Sequence, residues 1–251
     1  MTDLPIQRHR AILDHLEAEE SARTVRLAAS LGVTRETIRK DLAYLANRGL
    51  LRLVYGGAVR SGLLEPDLQA RLATNIEGKT MIARRAVALV PDGARLALDC
   101  GSTTLALARE LRARSGLQVW TNDIAIAQEL AASAEVVLLG GSYAPDENKT
   151  TGPDAVEMMA AYNVDLAFIS LGGLSAAQGL TDFDRNGYAL RNTMRNAATG
   201  CYFLADHGKF GRPAHLRWKH PETASGVIAD RAPGPEEQAM LAQIGLPLIL
   251  A

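Results

Sequence analysis

The 251 residues carry 27 Lys or Arg against 28 Asp or Glu, a net charge of −1, with 47% apolar and 22% charged side chains. That balance excludes a disordered chain and leaves enough apolar residues for a real core. No apolar run approaches the roughly eighteen residues of a membrane span, and acids and bases interrupt "MTDLPIQRHRAILDHLEAEE", so no signal peptide is expected and a cytoplasmic location is.

The charge is unevenly placed. Residues 1–60 hold ten Arg or Lys against seven Asp or Glu, +3, and the remainder holds seventeen against twenty-one, −4. Residues 1–60 therefore read as a separate, mildly basic module. Ile12, Leu13 and Leu16 recur at helical spacing in "RHRAILDHLEAE" and mark an amphipathic first helix. "TVRLAASLGV" gives a shorter second helix with Leu27, Ala28 and Leu31 on one face, ended by Gly32. Thr34 caps a third helix, in which Ile38, Leu42 and Leu45 face a core. Its first two turns then present Arg35, Glu36, Thr37, Arg39 and Lys40 outward, where side-chain donors and the positive end of the helix dipole meet phosphate and base edges. After Asn47-Arg48-Gly49, "LLRLV" alternates as a strand and "YGGAV" supplies a two-glycine hairpin tip. These elements spell a winged helix-turn-helix. Thr34, Arg35, Glu36, Thr37, Arg39, Lys40, Arg52, Tyr55 and Gly56 are its candidate DNA contacts, Arg52 and Tyr55 at the sugar-phosphate backbone of double-stranded DNA.

"TIRKDLAYLANRGLLRLVYGGA" resembles the DNA-binding signature of the DeoR family of bacterial transcription regulators, with Lys40 where Arg is common and Tyr55 where His is common. Both substitutions keep the chemistry, a cation and a polar aromatic. The resemblance covers nearly all of residues 8–59 and implies an operator-binding module.

"RSGLLEPDLQARLATN" mixes Gly and Pro with a short helical pattern, and residues 61–75 read as a connection. From residue 76 to 251 helical stretches at 76–90, 102–114, 123–132, 153–162 and 184–198 alternate with apolar strands, "ARLALD", "LQVWT", "EVVLLG", "DLAFIS", "CYFLAD", "SGVIAD" and "LPLIL". Such alternation predicts an α/β domain with a largely parallel sheet covered on both faces.

Sites in such sheets form beyond the carboxyl ends of the strands. "LDCGSTT" puts Gly101, Ser102, Thr103 and Thr104 at a helix start, where free amides and hydroxyls hold an anion, a phosphate above all. Thr121-Asn122-Asp123, Gly140-Gly141, Leu171-Gly172-Gly173 and "ADHGKFG" end the next strands and converge on the same edge. Lys209 suits a phosphate, and Asp99, Asp123, Asp182 and Asp206 suit ligand hydroxyl groups.

This second region is also similar to the DeoR family, whose sensor domain is related in fold to ribose-5-phosphate isomerase and binds phosphorylated sugars or related metabolites. The resemblance implies ligand-site segments at "DCGSTT", "TND", "LLGG", "TGP" (with Gly152), "GLTDFD" (with Asp182 and Asp184) and "ADHGKFG", and it is closest to members that answer to glycerol 3-phosphate and related sugar phosphates. After "GLTDFD" the family usually carries a glutamate and, four residues on, a lysine; this chain has Gly187 and Arg191. The cation stays and the carboxylate is lost, which changes the hydroxyls recognised or moves the role to Asp182 or Asp184.

The competing expectation is a sugar-phosphate isomerase-like enzyme, with Asp99, Asp182 or Asp206 moving the proton. The attached DNA module and Gly187 argue against it. Cys100 and Cys201 lie in or beside apolar runs and read as buried thiols. His207, His215 and His220 lack metal-ligand spacing, no cofactor is expected, and Asn148-Lys149-Thr150 is a coincidental glycosylation pattern. The expectation is thus a regulator, a repressor of a carbohydrate-uptake or catabolic operon, that binds its operator as a homo-oligomer, dimer or tetramer, and is released by a phosphorylated metabolite. Effector, operator and oligomer number are not in the sequence.

Overall fold

The computed structural model of the chain describes residues 5–19, 21–47, 50–60 and 65–251. They form two compact units divided between Glu65 and Pro66. Arg48 and Gly49 of the expected turn, and residues 61–64 of the expected connection, lie outside the described residues.

The first unit runs α1 (Pro5–Glu19), β1 (Ser21–Arg23), α2 (Thr24–Leu31), α3 (Arg35–Asn47), β2 (Leu51–Val54) and β3 (Gly57–Arg60). Ile12 and Leu16 of α1, Leu27 of α2, Ile38, Leu42 and Leu45 of α3 and Leu51 and Ala58 of the hairpin share one core. Gly32 ends α2 at φ 66°, its N–H donating to the Ala28 carbonyl, and Thr34 Oγ1 accepts from the Thr37 amide at 3.1 Å. β1, which the periodicity did not reveal, pairs antiparallel with β3, giving the order β1-β3-β2. This strand explains why two glycines stand in a row. Gly56 turns the chain at φ 78°, and a Cβ on Gly57 would sit 2.1 Å from the Ala22 carbonyl oxygen of β1.

The second unit continues with α4 (Leu68–Ala73), α5 (Ile76–Val87), β4 (Arg95–Leu98), α6 (Ser102–Leu111), β5 (Gln118–Thr121), α7 (Ile124–Leu130), β6 (Glu135–Leu138), β7 (Ser142–Ala144), β8 (Lys149–Thr151), α8 (Pro153–Ala160) and β9 (Val164–Ser170). β10 (Gly173–Ser175), β11 (Gly179–Asp182), α9 (Arg185–Ala197), β12 (Ala198–Ala205), β13 (Leu216–Arg217), β14 (Gly226–Ala229), α10 (Pro235–Gln243) and β15 (Leu248–Leu250) complete it. A seven-stranded sheet runs β15-β14-β12-β9-β4-β5-β6, with every pairing parallel.

Alternate strand residues feed two cores. Leu96, Leu98, Phe168, Leu204 and Ile228 pack with α5, α6 and α7 residues such as Ile82, Leu107 and Ile126. Ala97, Ala167, Ile169, Phe203 and Val227 pack with Met159 of α8, Leu190 and Met194 of α9 and Leu241 of α10. Strand order reverses between β4 and β9: β5 and β6 build outward on one side, β12, β14 and β15 on the other. In a doubly wound sheet that reversal opens a crevice at the carboxyl ends of the two strands.

The antiparallel sheet β10-β11-β13 and the hairpin β7-β8 were not foreseen, since two to four residues are too few to show a period. α4 occupies part of the expected connection, capped by Asp67, whose side chain accepts from the Ala70 amide. Cys100 and Cys201 are buried and free, and burial pushes their thiols up to about 11 and about 12. Among the described residues no helix is long and apolar enough to cross a membrane.

Candidate functional site

In the first unit Arg35, Glu36, Arg39 and Lys40 are exposed along the start of α3, with Thr34 before them and Thr37 partly covered. Arg39 and Glu36 approach to 3.5 Å with both side chains largely exposed, a contact worth well under about 1 kcal/mol and easily given up to a stronger partner. α3 itself is fixed to α1 at Asp41. Arg8 donates to that carboxylate from Nε at 2.5 Å and from Nη2 at 2.9 Å. His9 Nε2 lies 2.9 Å from it, the His9 ring stacking on Tyr44. Burial would raise the Asp41 carboxyl, but the Arg8 and His9 contacts outweigh it and hold it below the usual carboxylate range.

Between α3 and the hairpin lies a groove of about 430 Å³ lined by Val25, Arg35, Arg39, Leu53, Val54 and Tyr55. Tyr55 projects fully from the hairpin tip beside Gly56. Arg52 is exposed on β2, and its Nη1 donates to the Glu65 carbonyl at 2.7 Å, so part of its donor capacity is already spent within the unit.

In the second unit the crevice between β4 and β9 is where charge collects. Asp99, just past β4, accepts from the Ser170 amide at 3.1 Å and the Ser170 hydroxyl at 2.8 Å. Arg191 of α9 crosses to it, Nη1 to Asp99 Oδ2 at 3.2 Å, and grips Asp182 at the end of β11 through Nε at 3.0 Å and Nη2 at 2.7 Å. All three are buried. Burial pushes the Asp99 carboxyl up to about 6 despite the Arg191 charge and the Ser170 bonds. Against the desolvation of Arg191, the Asp182 and Asp99 charges raise its guanidinium well above its ordinary value.

Gly187 belongs to the same construction. A Cβ there would stand 2.7 Å from Asp184 Oδ2 and 3.0 and 3.2 Å from the Arg191 Nη atoms. The guanidinium fills the space of a side chain at 187, and its carboxylate partners are Asp182 and Asp99. Asp184 instead caps α9 through the Asn186 amide at 3.0 Å and takes Lys149 Nζ at 2.9 Å.

At the start of α6, Ser102, Thr103 and Thr104 are all buried. Thr104 Oγ1 donates back to the Gly101 carbonyl. The Ser102 and Thr103 hydroxyls make no hydrogen bond to any described residue, and neither oxygen is among the fully buried atoms that lack a partner, so both stay open to a ligand or to water. Asp123 caps α7 through the Ala125 and Ile126 amides and reaches the Gly101 amide at 3.4 Å.

Several expected residues serve the scaffold around this crevice. Thr121 Oγ1 accepts from the Asp123 amide, and Asn122 ties to the Thr150 carbonyl, its Oδ1 buried without a partner. Gly141 has no Cβ because the Thr151 carbonyl oxygen lies 2.5 Å from where one would be, and Gly173 likewise faces the Arg212 carbonyl oxygen at 1.7 Å. Gly140 precedes β7, and Gly152, at φ 107°, caps α8. Asp206 caps the turn His207–Lys209 through the Gly208 amide.

Four residues were missed. Ser170 closes β9 on Asp99. Lys149, read only as part of a glycosylation pattern, is a buried cation on Asp184. Lys79 of α5 is buried, donates to the Arg71 carbonyl at 2.6 Å and to the Thr74 carbonyl, and feels the charges of Asp206 and Lys209. Asp230 receives His207 Nδ1 at 2.6 Å and Asn75 Nδ2 at 3.0 Å. Lys79 had a signal in the sequence, since it shares a helix face with Ile82, Ala83 and Ala86, where a lysine has no reason to be unless it is partnered.

Residues 8–61 match the DeoR-like helix-turn-helix domain and residues 74–231 the DeoR C terminal sensor domain. The chain belongs to the DeoR family. As a member it is a DNA-binding transcriptional regulator, and the isomerase alternative finds no support. It is similar over most of its length to the HTH-type transcriptional regulator GolR of Listeria innocua, 30% identical over 98% of this chain and 99% of the relative. The HTH-type transcriptional repressor GlcR of Bacillus subtilis is 30% identical over 96% of this chain and 94% of its own. The Glycerol-3-phosphate regulon repressor of Escherichia coli is 26% identical over 90% and 91%. Among solved structures, ribose 5-phosphate isomerase A of Methanocaldococcus jannaschii aligns over 54% of this chain and 55% of its own at 20% identity and TM-score 0.41.

Proposed function

We propose that this DeoR-family regulator represses a carbohydrate-uptake or catabolic operon in the cytoplasm and is released from its operator by a phosphorylated sugar or a glycerol-phosphate-like metabolite. Thr34, Arg35, Glu36, Thr37, Arg39 and Lys40 enter the groove, while Arg52, Tyr55 and Gly56 lie on the backbone. A module of charge +3 holds DNA weakly, so the regulator acts as a homo-oligomer whose paired modules engage repeated half-sites.

The observation that carries the ligand class is the pair of hydroxyls of Ser102 and Thr103 that no described residue engages, on two largely buried residues at the first turn of α6, beside the β4/β9 reversal. Helix amides and hydroxyls together suit a phosphate. Lys209 adds charge, and Asp123, Asp206 and the Asp99–Arg191–Asp182 cluster face the hydroxylated remainder of the ligand. The effector favours release by binding the DNA-free state better, for which about 1–3 kcal/mol of coupling suffices.

The test is a gel-shift on the DNA upstream of the chain's own gene with a panel of sugar phosphates. Wild type is released by one or a few of them. Thr103→Val and Lys209→Ala keep operator affinity and lose the response. A Thr103→Val variant released at wild-type effector concentration removes the α6 turn from the site.

A further inference from the structure

On α9, one helical turn beyond Arg191, Arg195 is buried without a counter-ion. Its Nη1 donates to the Lys219 and His220 carbonyls at 2.9 and 2.8 Å and its Nη2 to Asn192 Oδ1 at 2.8 Å. Its Nε is buried with no partner. The guanidinium lies over the Trp218 ring, 5.6 Å from the centroid, and among the described residues no carboxylate comes within ion-pair distance of it. Every contact it makes is therefore neutral. A guanidinium taken out of water and given only neutral contacts has no carboxylate beside it to offset the desolvation of its charge. Arg191, on the same helix, shows the alternative, with two carboxylates of its own.

A groove of about 500 Å³ opens beside Arg195, in the size range of small-ligand sites. Its rim adds the Lys219 cation and the His220 ring, both exposed, with Asn192, Asn196 and Thr223 as polar neighbours. His220 is held at φ 53°, a left-handed backbone unusual for a residue with a side chain, and this conformation sets its carbonyl on Arg195. Strain in the chain thus serves to hold the arginine under the groove. Glu222 feels the Arg195 charge from a distance but makes its contact with His220, at 3.1 Å.

We infer that the groove over Arg195, Lys219 and His220 is a second ligand site, separate from the α6 crevice, which takes a small oxyanion such as a phosphate or carboxylate group. The anion replaces water against Arg195 and completes the cationic set with charge-assisted hydrogen bonds.

The chain has two tryptophans, and Trp218 lies directly under the site. Full-length protein labelled with 5-fluorotryptophan is titrated with inorganic phosphate at constant ionic strength and followed by ¹⁹F NMR, with Trp120→Phe assigning the two resonances. The Trp218 resonance shifts saturably, with a Kd of about 1 mM or tighter. Lys219→Ala and His220→Ala each weaken the binding by about three- to tenfold, as loss of one hydrogen-bond donor to the anion should. Both rim residues are exposed, so these variants fold. A Trp218 resonance that does not saturate, or one that saturates with unchanged affinity in both rim variants, overturns the site: the former leaves only bulk ionic effects, and the latter places the anion elsewhere.

Discussion

Gly187 shows how one absent side chain can set a site. Alanine there gains roughly 1 kcal/mol of helix propensity, but its Cβ must push aside Asp184 and the Arg191 guanidinium. Both obstacles are side-chain ends, so the helix survives and the ion pairs give way. Gly187→Ala is expected to leave unfolding free energy within about 1 kcal/mol of wild type. The effector concentration for half-release rises about tenfold, the equivalent of 1.4 kcal/mol. Denaturant melts and effector titrations on operator DNA separate the two; an unchanged half-release concentration means that the ligand does not read the position of Arg191. The sequence shows that 187 is a glycine but not why, because the reason lies in a guanidinium arriving from one turn along the helix to meet strand ends remote in sequence.

At the proposed DNA face the two arginines call for different outcomes. Arg39 lines the groove beside α3 with only a weak Glu36 contact, whereas Arg52, on β2 of the hairpin, is tied to the Glu65 backbone carbonyl. Arg39→Ala should cost about 1–3 kcal/mol of operator binding and relax preference at one base pair, while Arg52→Ala weakens all sequences alike and lowers the salt slope by about one. Competition gel-shifts over single-base operator variants check both, and normal binding by both variants defeats the docking scheme. The exposure of Arg39 was legible in advance because a capped helix with a three-residue apolar face fixes which side chains point away from it.

At the scale of elements, the strands of the parallel sheet were readable from their apolar runs, and the reversal between β4 and β9 was not, because strand order depends on pairings that no local pattern encodes. That seam has a pH signature. Asp99 is buried between the two strands with its pKa raised to about 6, above the 3.8 of an ordinary Asp, so between those values the folded state holds a proton that the unfolded chain has released. Stability from this group therefore falls as pH rises towards about 6 and is flat above it. Taking the protein from pH 7 to pH 5 should add about 1 kcal/mol from Asp99 alone. Asp41, Asp184 and Asp230, with carboxyls held below the ordinary range, work in the opposite sense at lower pH, so the observable is a difference. Urea unfolding of wild type and Asp99→Asn at both pH values should show the wild type gaining relative to the variant on acidification; parallel pH dependences would mean that Asp99 titrates normally.

For the whole molecule, the division between Glu65 and Pro66 separates a reader with its own apolar core from a larger unit with two. The small unit buries Ile12, Leu16, Ile38, Leu42 and Leu45 together and ties α1 to α3 through Arg8 and Asp41, so a fragment of residues 1–65 is expected to fold and to retain base preference. We propose that the assembly surface of the homo-oligomer lies on the rest of the chain, so the fragment lacks it. A second reader held on the same complex raises effective concentration and multiplies affinity by about 10² to 10⁴ without any new contact. The fragment should therefore bind a single half-site about as well as the full chain does, and a complete operator at least about 10²-fold more weakly. Fluorescence anisotropy on half-site and full-site duplexes at equal salt measures both ratios. Equal affinity of fragment and full chain for the complete operator would show that the large unit adds nothing to DNA binding, and the paired-reader scheme would fall while the chemistry of each α3 contact stood.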